Sequence, residues 1–376
     1  MSVSLPADPL SARSLTGVLP QMLGSLTGAP DWFPEARSAI VVMVDGLGRG
    51  NLAARAGHAR FLSGRMTKKD AVRTVFPSTT AAALTSLLTG ESPGIHGLVG
   101  YSARVPETGR AVNQLQGWET DGLDPARWQR SEPLLAREAA AGRPCFVVSK
   151  PSYAATGFTR AIQRGATFVG VTAPAERLTE AARLAAGHPG ALIYVYLSEL
   201  DAVGHAHGWE SDRWLSSLET LDADVRRFDE TLASGTGALV TADHGMVDVS
   251  PSRHVLLQRG DPLLDDVAVI AGEPRMLHLY AEDDAAGVLD RWRATEGGRA
   301  WVLSRDEAIR AGLFGPTVAP EVAPRIGDVL VAARASTAYY DDRPADKSAQ
   351  RMIGQHGSLT DQERIVPLIR LGAFAY

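Results

Sequence analysis

The chain has a single cysteine in 376 residues, no long apolar run, and no excess of basic charge. Each of these shortages excludes something. One cysteine, Cys145, cannot form an intramolecular disulfide, so a small secreted fold built on cross-links is ruled out. It stands in the run Cys145-Phe146-Val147-Val148, and we read it as a small buried strand residue rather than a reactive thiol. The apolar run from Ala191 to Leu197 is far short of the ~20 residues a membrane-spanning helix needs. Lys and Arg number 38 against 43 Asp and Glu, a formal charge of −5, which speaks against a broad basic surface for nucleic-acid polymers. From Met1 to Pro30 there is one positive charge, Arg13, and Pro6, Pro9 and Pro20 interrupt the apolar residues. That is not a secretory pattern, so a cytoplasmic location without membrane association is expected.

What is present describes an ordinary globular chain, 45% hydrophobic and 22% charged. Apolar runs of strand length alternate with longer helical patterns, as in a parallel sheet covered by helices. Strands are expected at Ala39 to Val44, Cys145 to Val148, Ala191 to Leu197 and Ala238 to Thr241. Each is continuously apolar, as where both faces are covered. Helices are expected over Thr79 to Leu88, Ala175 to Ala186 and Ser211 to Leu232.

After His244 the pattern changes to strand, helix, strand, strand at Arg275 to Tyr280, Ala285 to Thr295, Ala300 to Leu303 and Ile326 to Ala332. The expected organisation is therefore an N-terminal extension over 1–37, a main α/β domain over 38–252 and 348–376, and an α+β insertion over 253–347.

In open α/β sheets, ligands bind beyond the carboxyl ends of the strands. The residues there are Asp45-Gly46, then Asp201 and His205, then Asp243-His244-Gly245, and late in the chain Gln355-His356-Gly357. An Asp at a strand end is also a common turn former, so the signal lies in the ordered recurrence. Three carboxylates and three imidazoles suit divalent zinc or manganese, and six exceed what one four-coordinate ion uses. Two ions sharing them clamp an in-line displacement at phosphorus. Gly46, Gly204, Gly245 and Gly357 are expected to form turns that bring backbone close to the ions. A nucleophile is offered by Ser78-Thr79-Thr80, at the start of a helix where backbone N–H groups favour an anion. At least one of Ser78 and Thr79 is expected to cap that helix.

Taken together, Asp45, the Phe-Pro-x-x-Thr segment ending at Thr80, Asp201 with His205, Asp243-His244-Gly245 and Gln355-His356-Gly357 resemble the nucleotide pyrophosphatase/phosphodiesterase branch of the alkaline phosphatase superfamily. The resemblance runs from about Ile40 to Ile369 and implies an alkaline-phosphatase-like sandwich. In that family the nucleophilic Thr lies three residues after a Pro and nine before a Thr-Gly, spacings that Pro77 and Thr89-Gly90 give to Thr80. The resemblance further implies one metal held by Asp45, Asp243, His244 and Thr80, and a second by Asp201, His205 and His356. It implies two-metal hydrolysis of small phosphodiesters or pyrophosphates through a phosphothreonine, with zinc the expected ion and manganese the other candidate.

One departure bears on substrate. Where family members place an Asn that contacts the phosphate, about twenty residues beyond the nucleophile, this chain has Tyr101. A phosphomonoesterase or phosphonate hydrolase on the same metal site is the alternative expectation, and a phosphoryl-binding protein without turnover a further one. Tyr101, Asn113 and Trp118 are candidate pocket residues, because a ring of the substrate stacks on an aromatic. His207 is expected to point away from the site on an extended segment. His58, His96, His188, His254 and His278 are read as surface or internally satisfied histidines.

Overall fold

The computed structural model describes residues 5–6, 12–67 and 69–375. Residues 1–4 and 7–11 of the expected N-terminal extension lie outside the described residues.

The continuous apolar runs form a six-stranded sheet in the order Ile369–Gly372, Thr236–Thr241, Ser38–Val44, Leu192–Leu197, Cys145–Ser149, Thr167–Gly170. Neighbours are parallel except at one edge, where Ile369–Gly372 runs antiparallel to Thr236–Thr241. The centre of the sheet is Ser38–Val44, with Val41 registered against Tyr194 on one side and Leu239 on the other. All seven of its residues are buried, which requires cover on both faces and explains the absence of polar alternation. Helix Pro174–Gly187 packs on the sheet and on helix Asp212–Thr231, and their apolar stripes supply Leu178, Ala181, Trp214 and Leu218 to the core. Helix Val18–Leu26 lies against Ser38–Val44 and buries Val18, Leu19 and Met22 completely.

Two edge strands, Thr167–Gly170 and Ile369–Gly372, were not among the expected elements. The first is only half buried, so its sequence lacks the apolar continuity that marks a central strand. The segment after Leu197 also differs from expectation. It is a helix, Glu199–His207, not an extended stretch, and that sets Asp201 and His205 one turn apart on one face.

The insertion carries an antiparallel sheet in the order Val267–Glu273, Met276–Ala281, Val329–Ala333, Ala300–Ser304, covered by helix Ala285–Glu296. It has its own core around Leu279, Val288, Trp292 and Val331. A further apolar cluster, including Phe76, Val99, Phe314 and Leu359, joins it to the main domain. So does a fully buried ion pair, Arg275 to Glu363. Among the described residues no helix is long and apolar enough to cross a membrane.

Candidate active site

Three parallel strands of the central sheet deliver residues to one edge. Asp45 follows Ser38–Val44 directly, Asp243 and His244 stand just beyond Thr236–Thr241, and Asp201 and His205 ride on the helix that begins after Leu192–Leu197. Two turns of backbone close the space between them. Gly46 has φ +74, and a Cβ there would lie 3.1 Å from Asp201 Oδ1, so the first strand can turn beside the second carboxylate only with glycine. Gly357 likewise has φ +129 and permits the turn after His356. Gly204 does not form a turn. It lies inside the helix, where Met246 Sδ would be 2.4 Å from a Cβ, so its role is helix packing and the expected turn is corrected.

The centre of the cluster is Nε2 of His244. It is 3.3 Å from Asp45 Oδ1, 3.4 Å from Asp243 Oδ2 and 3.2 Å from Thr80 Oγ1. His356 stacks on His244 with ring centroids 3.4 Å apart, and His205 Nε2 is 3.4 Å from Asp201 Oδ2. Asp45, Asp243 and His244 form one group whose ligand atoms are mutually close, and Asp201, His244 and His356 form another.

Two further observations fit a metal-binding role. Each histidine donates Nδ1–H to a main-chain carbonyl: His205 to Gly354 O at 2.7 Å, His244 to Gly245 O at 3.1 Å and His356 to Ser78 O at 2.9 Å. That fixes the tautomer and turns Nε2, with its lone pair, toward the cluster. Meanwhile Asp45 Oδ1, Asp201 Oδ1 and Asp243 Oδ2 are buried without a hydrogen-bond partner. Buried carboxylate oxygens left open are costly unless a cation meets them, so this donor set fits divalent ions.

The electrostatics of the protein alone make the same point. Burial, with the charge of Asp45, raises Asp201 to about 6 and Asp243 well above the ordinary carboxylate range. Burial opposes charge on His244 too, but Asp243 and Asp45 outweigh it and lift the imidazole to about 10. Burial and the neighbouring imidazoles hold His356 well below its usual value. Asp45 is raised by burial, yet hydrogen bonding to His244 and Tyr196 brings it below normal. Three carboxylates thus share too little positive charge among them.

The hydroxyls separate clearly. Ser78 Oγ donates to Ser358 O at 2.8 Å and faces away from the cluster. Thr79 is the N-cap residue of helix Thr80–Thr89, but neither it nor Ser78 makes the expected side-chain cap, and Thr79 Oγ1 is buried without a partner. Thr80, the first helical residue, places Oγ1 against His244.

Beside the cluster opens a cavity of about 570 Å³, lined by Asp45, Thr80, Asp201, His205 and His356 and also by Leu84, Phe158 and Tyr153. Tyr101 lies on its wall and is 40% exposed. Asn113 and Trp118 are not on that wall. The Asn113 carboxamide oxygen accepts Leu115 and Gln116 N–H at 2.8 and 3.0 Å, closing a turn. Trp118 is 1% exposed beneath Gly157 and donates its indole N–H to Gln114 O at 2.9 Å, so its role is packing. His207 sits on the exposed side of its helix and accepts from Arg213 at 2.9 Å. His96 and His278 are fully buried and satisfied internally.

Residues the sequence did not single out also meet here. Tyr196, within the strand preceding Asp201, donates its hydroxyl to Asp45 Oδ2. Lys150, just past Cys145–Ser149, lines the cavity and is held by Ser198 Oγ at 2.8 Å and Glu199 at 3.1 Å. Position after a strand was a usable signal for Lys150. Glu273 comes from the insertion, and nothing local in the sequence marks it.

Comparison with known proteins agrees with this geometry. A family model described as type I phosphodiesterase / nucleotide pyrophosphatase matches residues 39–359. Human ectonucleotide pyrophosphatase/phosphodiesterase 5 has a similar fold, with TM-score 0.69 at 16% identity over 90% of each chain. The murine counterpart, as an inactive variant in complex with AMP, gives TM-score 0.67 at 16% identity, covering 90% of this chain and 88% of that one. Phosphonoacetate hydrolase from Sinorhizobium meliloti, in complex with phosphonoformate, gives TM-score 0.67 at 20% identity over 90% and 91%. No curated protein sequence matches the chain.

Proposed function

Because the chain belongs to the type I phosphodiesterase/nucleotide pyrophosphatase family, with the match spanning residues 39–359, we propose that it cleaves small phosphodiesters or pyrophosphates through a covalent phosphothreonine at Thr80. The chain is a hydrolase of phosphate ester bonds, and the family is metal-dependent. The observation that carries the finer reading is the convergence of Thr80 Oγ1, Asp45 and Asp243 on His244 Nε2, with Asp201, His205 and His356 adjoining.

In this reading Asp45, Asp243, His244 and Thr80 hold one divalent ion, and Asp201, His205 and His356 a second, zinc or manganese. Bound there, the ions supply Lewis acidity that makes hydroxyl and water nucleophilic and offsets charge at phosphorus. Thr80 stands at the first position of helix Thr80–Thr89, so its oxygen and the phosphoryl group share the positive end of the helix dipole. Its Oγ1 attacks phosphorus, the ester or anhydride oxygen departs on the far side, and water then splits the Thr80–phosphoryl ester. Tyr196 and the three backbone carbonyls orient Asp45 and the imidazoles for this work.

A second reading, hydrolysis of phosphonates or phosphomonoesters, is favoured by one observation: Tyr101 stands where relatives place the phosphate-contacting Asn. The deciding experiment is Thr80→Ala assayed on zinc- or manganese-loaded protein. Turnover of a bis-aryl phosphate is expected to vanish while folding and metal content persist. Wild-type turnover in that variant would exclude Thr80 as nucleophile. Comparing the bis-aryl with a mono-aryl phosphate and a phosphonate on the wild type separates the two readings, since strong preference for either of the latter would overturn the first.

A further inference from the structure

Glu273 ends strand Val267–Glu273 of the insertion, yet its side chain reaches the wall of the catalytic cavity that also contains Thr80 and His356. Its surroundings hold it rigidly. Oε2 accepts Tyr101 N–H at 2.9 Å. Next to it Ser102 Oγ donates to Gly272 O and accepts Gly272 N–H, both at 2.9 Å. After the hairpin, Arg275 is clamped on Glu363 at 2.6 and 2.8 Å. On the other side the carboxyl lies against Gly357, where a Cβ would be 2.6 Å from Oε1. The residue is 8% exposed, and Oε1 has no hydrogen-bond partner in the protein.

A buried oxygen left open at a cavity wall, in a side chain fixed at its other oxygen, is a position prepared for a ligand. We propose that Glu273 is a substrate-binding residue contributed by the insertion, with its free Oε1 forming a hydrogen bond to a non-bridging oxygen of the phosphoryl group that Thr80 attacks.

Oε2 accepts from Tyr101, so in the neutral carboxyl the free Oε1 carries the proton and can donate it to a phosphoryl oxygen. Burial favours this protonated form, and Glu363 adds to it, against the Tyr101 N–H and the charge on His244. An anionic phosphoryl group held beside the carboxyl favours it further. The chain thereby regains a donor to phosphate close to Tyr101, the position at which the family's Asn is missing. No covalent step is assigned to Glu273, and the proton stays on the carboxyl through the contact.

This proposal rests on the reading of the site as a phosphoryl-transfer centre, and its test is built to fail separately. Glu273→Gln keeps the shape, the acceptor for Tyr101 N–H and a donor toward the cavity, whereas Glu273→Met keeps the volume and removes the hydrogen bond. Both are assayed as metal-loaded protein with bis(para-nitrophenyl) phosphate, and with inorganic phosphate as competitive inhibitor. Removing a hydrogen bond to a charged group costs roughly tenfold to a hundredfold in equilibrium terms. The Met variant is expected to lose about that much kcat/KM and to bind phosphate correspondingly less well, and Gln to stay within about threefold on both. Glu273→Ala replaces Met if the latter does not give folded, metal-loaded protein. A Met or Ala variant with wild-type constants, or a Gln variant that falls as far as Met, overturns the proposal. Thr80→Ala run in parallel keeps the two questions apart: its loss of activity with an unaffected Met variant leaves the function standing without Glu273, while an active Thr80→Ala removes the reading on which the proposal rests.

Discussion

Arg275→Met removes one member of a pair that is fully buried on both sides. The guanidinium donates Nε–H to Glu363 Oε1 at 2.6 Å and Nη2–H to Oε2 at 2.8 Å, and Nη1–H to Thr337 O at 2.7 Å. Without it, Glu363 keeps Ser358 N–H at 3.0 Å and the Thr360 hydroxyl, and Thr337 O loses its donor. An uncompensated carboxylate in the interior costs about 3–5 kcal/mol. At roughly 2.1 cal/mol/K of unfolding entropy per residue, the whole chain loses on the order of 0.8 kcal/mol of stability per degree near its midpoint, so the Tm is expected to fall by about 4–6 °C. The assay is urea denaturation of Arg275→Met, Glu363→Leu and the double variant, followed by fluorescence and circular dichroism together to check two-state behaviour. The double variant should be less destabilised than the sum of the singles by about 2 kcal/mol or more, because it buries no lone charge. If the two single costs simply add, within about 0.5 kcal/mol, the pair does not couple as the geometry requires and the reasoning fails. The consequence extends to activity, since Arg275 adjoins Glu273 in the insertion and Glu363 fastens the segment carrying His356.

Two further predictions concern protons. His96 and His278 are neutral, each accepting a backbone N–H at Nδ1, from Leu98 at 3.1 Å and Gly327 at 2.9 Å, and burial lowers them to about 3 and about 4. Their folded values lie below the unfolded ~6.5, so the stability they support is complete above that pH and is lost as pH falls through it, by about 2 kcal/mol each at pH 5. Urea midpoints at pH 7 and pH 5 should show His278→Gln losing less on acidification than the wild type; an equal loss would count against the assignment. At the metal cluster, Asp201 is raised to about 6 by burial and by Asp45, and His244 to about 10 by Asp243 and Asp45 against burial. A divalent ion must displace those protons, so zinc affinity should rise with pH and loading at pH 7 should release at least one proton per chain. Calorimetry in buffers of different ionisation enthalpy reads this directly, and no proton release would contradict the geometry.

The Asp/His cluster was legible in the sequence because its signals are local and scarce. Only nine histidines occur in the chain, and three stand beside Asp or Gly just beyond apolar runs. Central strands were legible for a similar reason: a segment buried on both faces, such as Ser38–Val44, must be apolar throughout. Edge strands escape that rule. Thr167–Gly170 has one neighbour and half-exposed residues, so its composition is that of a loop. The helix after Leu197 escaped notice although Asp201 and His205, four residues apart, fit one helix face, because the short stretch around them has no apolar period to reveal it. Asn113 and Trp118 do not line the cavity because a polar residue can serve a local turn and an aromatic the core, whatever their distance from the site in sequence. Trp118 is held by Gly157 and Gln114 from behind the cavity wall.

These successes and misses follow one physical division. Chemistry at phosphorus needs Asp, His and Thr at fixed positions on the rigid ends of strands and helices, and those residue types are recognisable one by one. The rest of the cavity is lined by Phe158, Tyr153 and Lys150 from the main domain together with Glu273 from the insertion. None of these is unusual for its local sequence, and Glu273 lies 29 residues after His244 and 83 before His356. Only tertiary packing brings it to Tyr101. The proposed contact of Glu273 with the phosphoryl group thus depends on the fold alone, on strand Val267–Glu273 carrying a carboxyl to the cavity that Thr80 also lines.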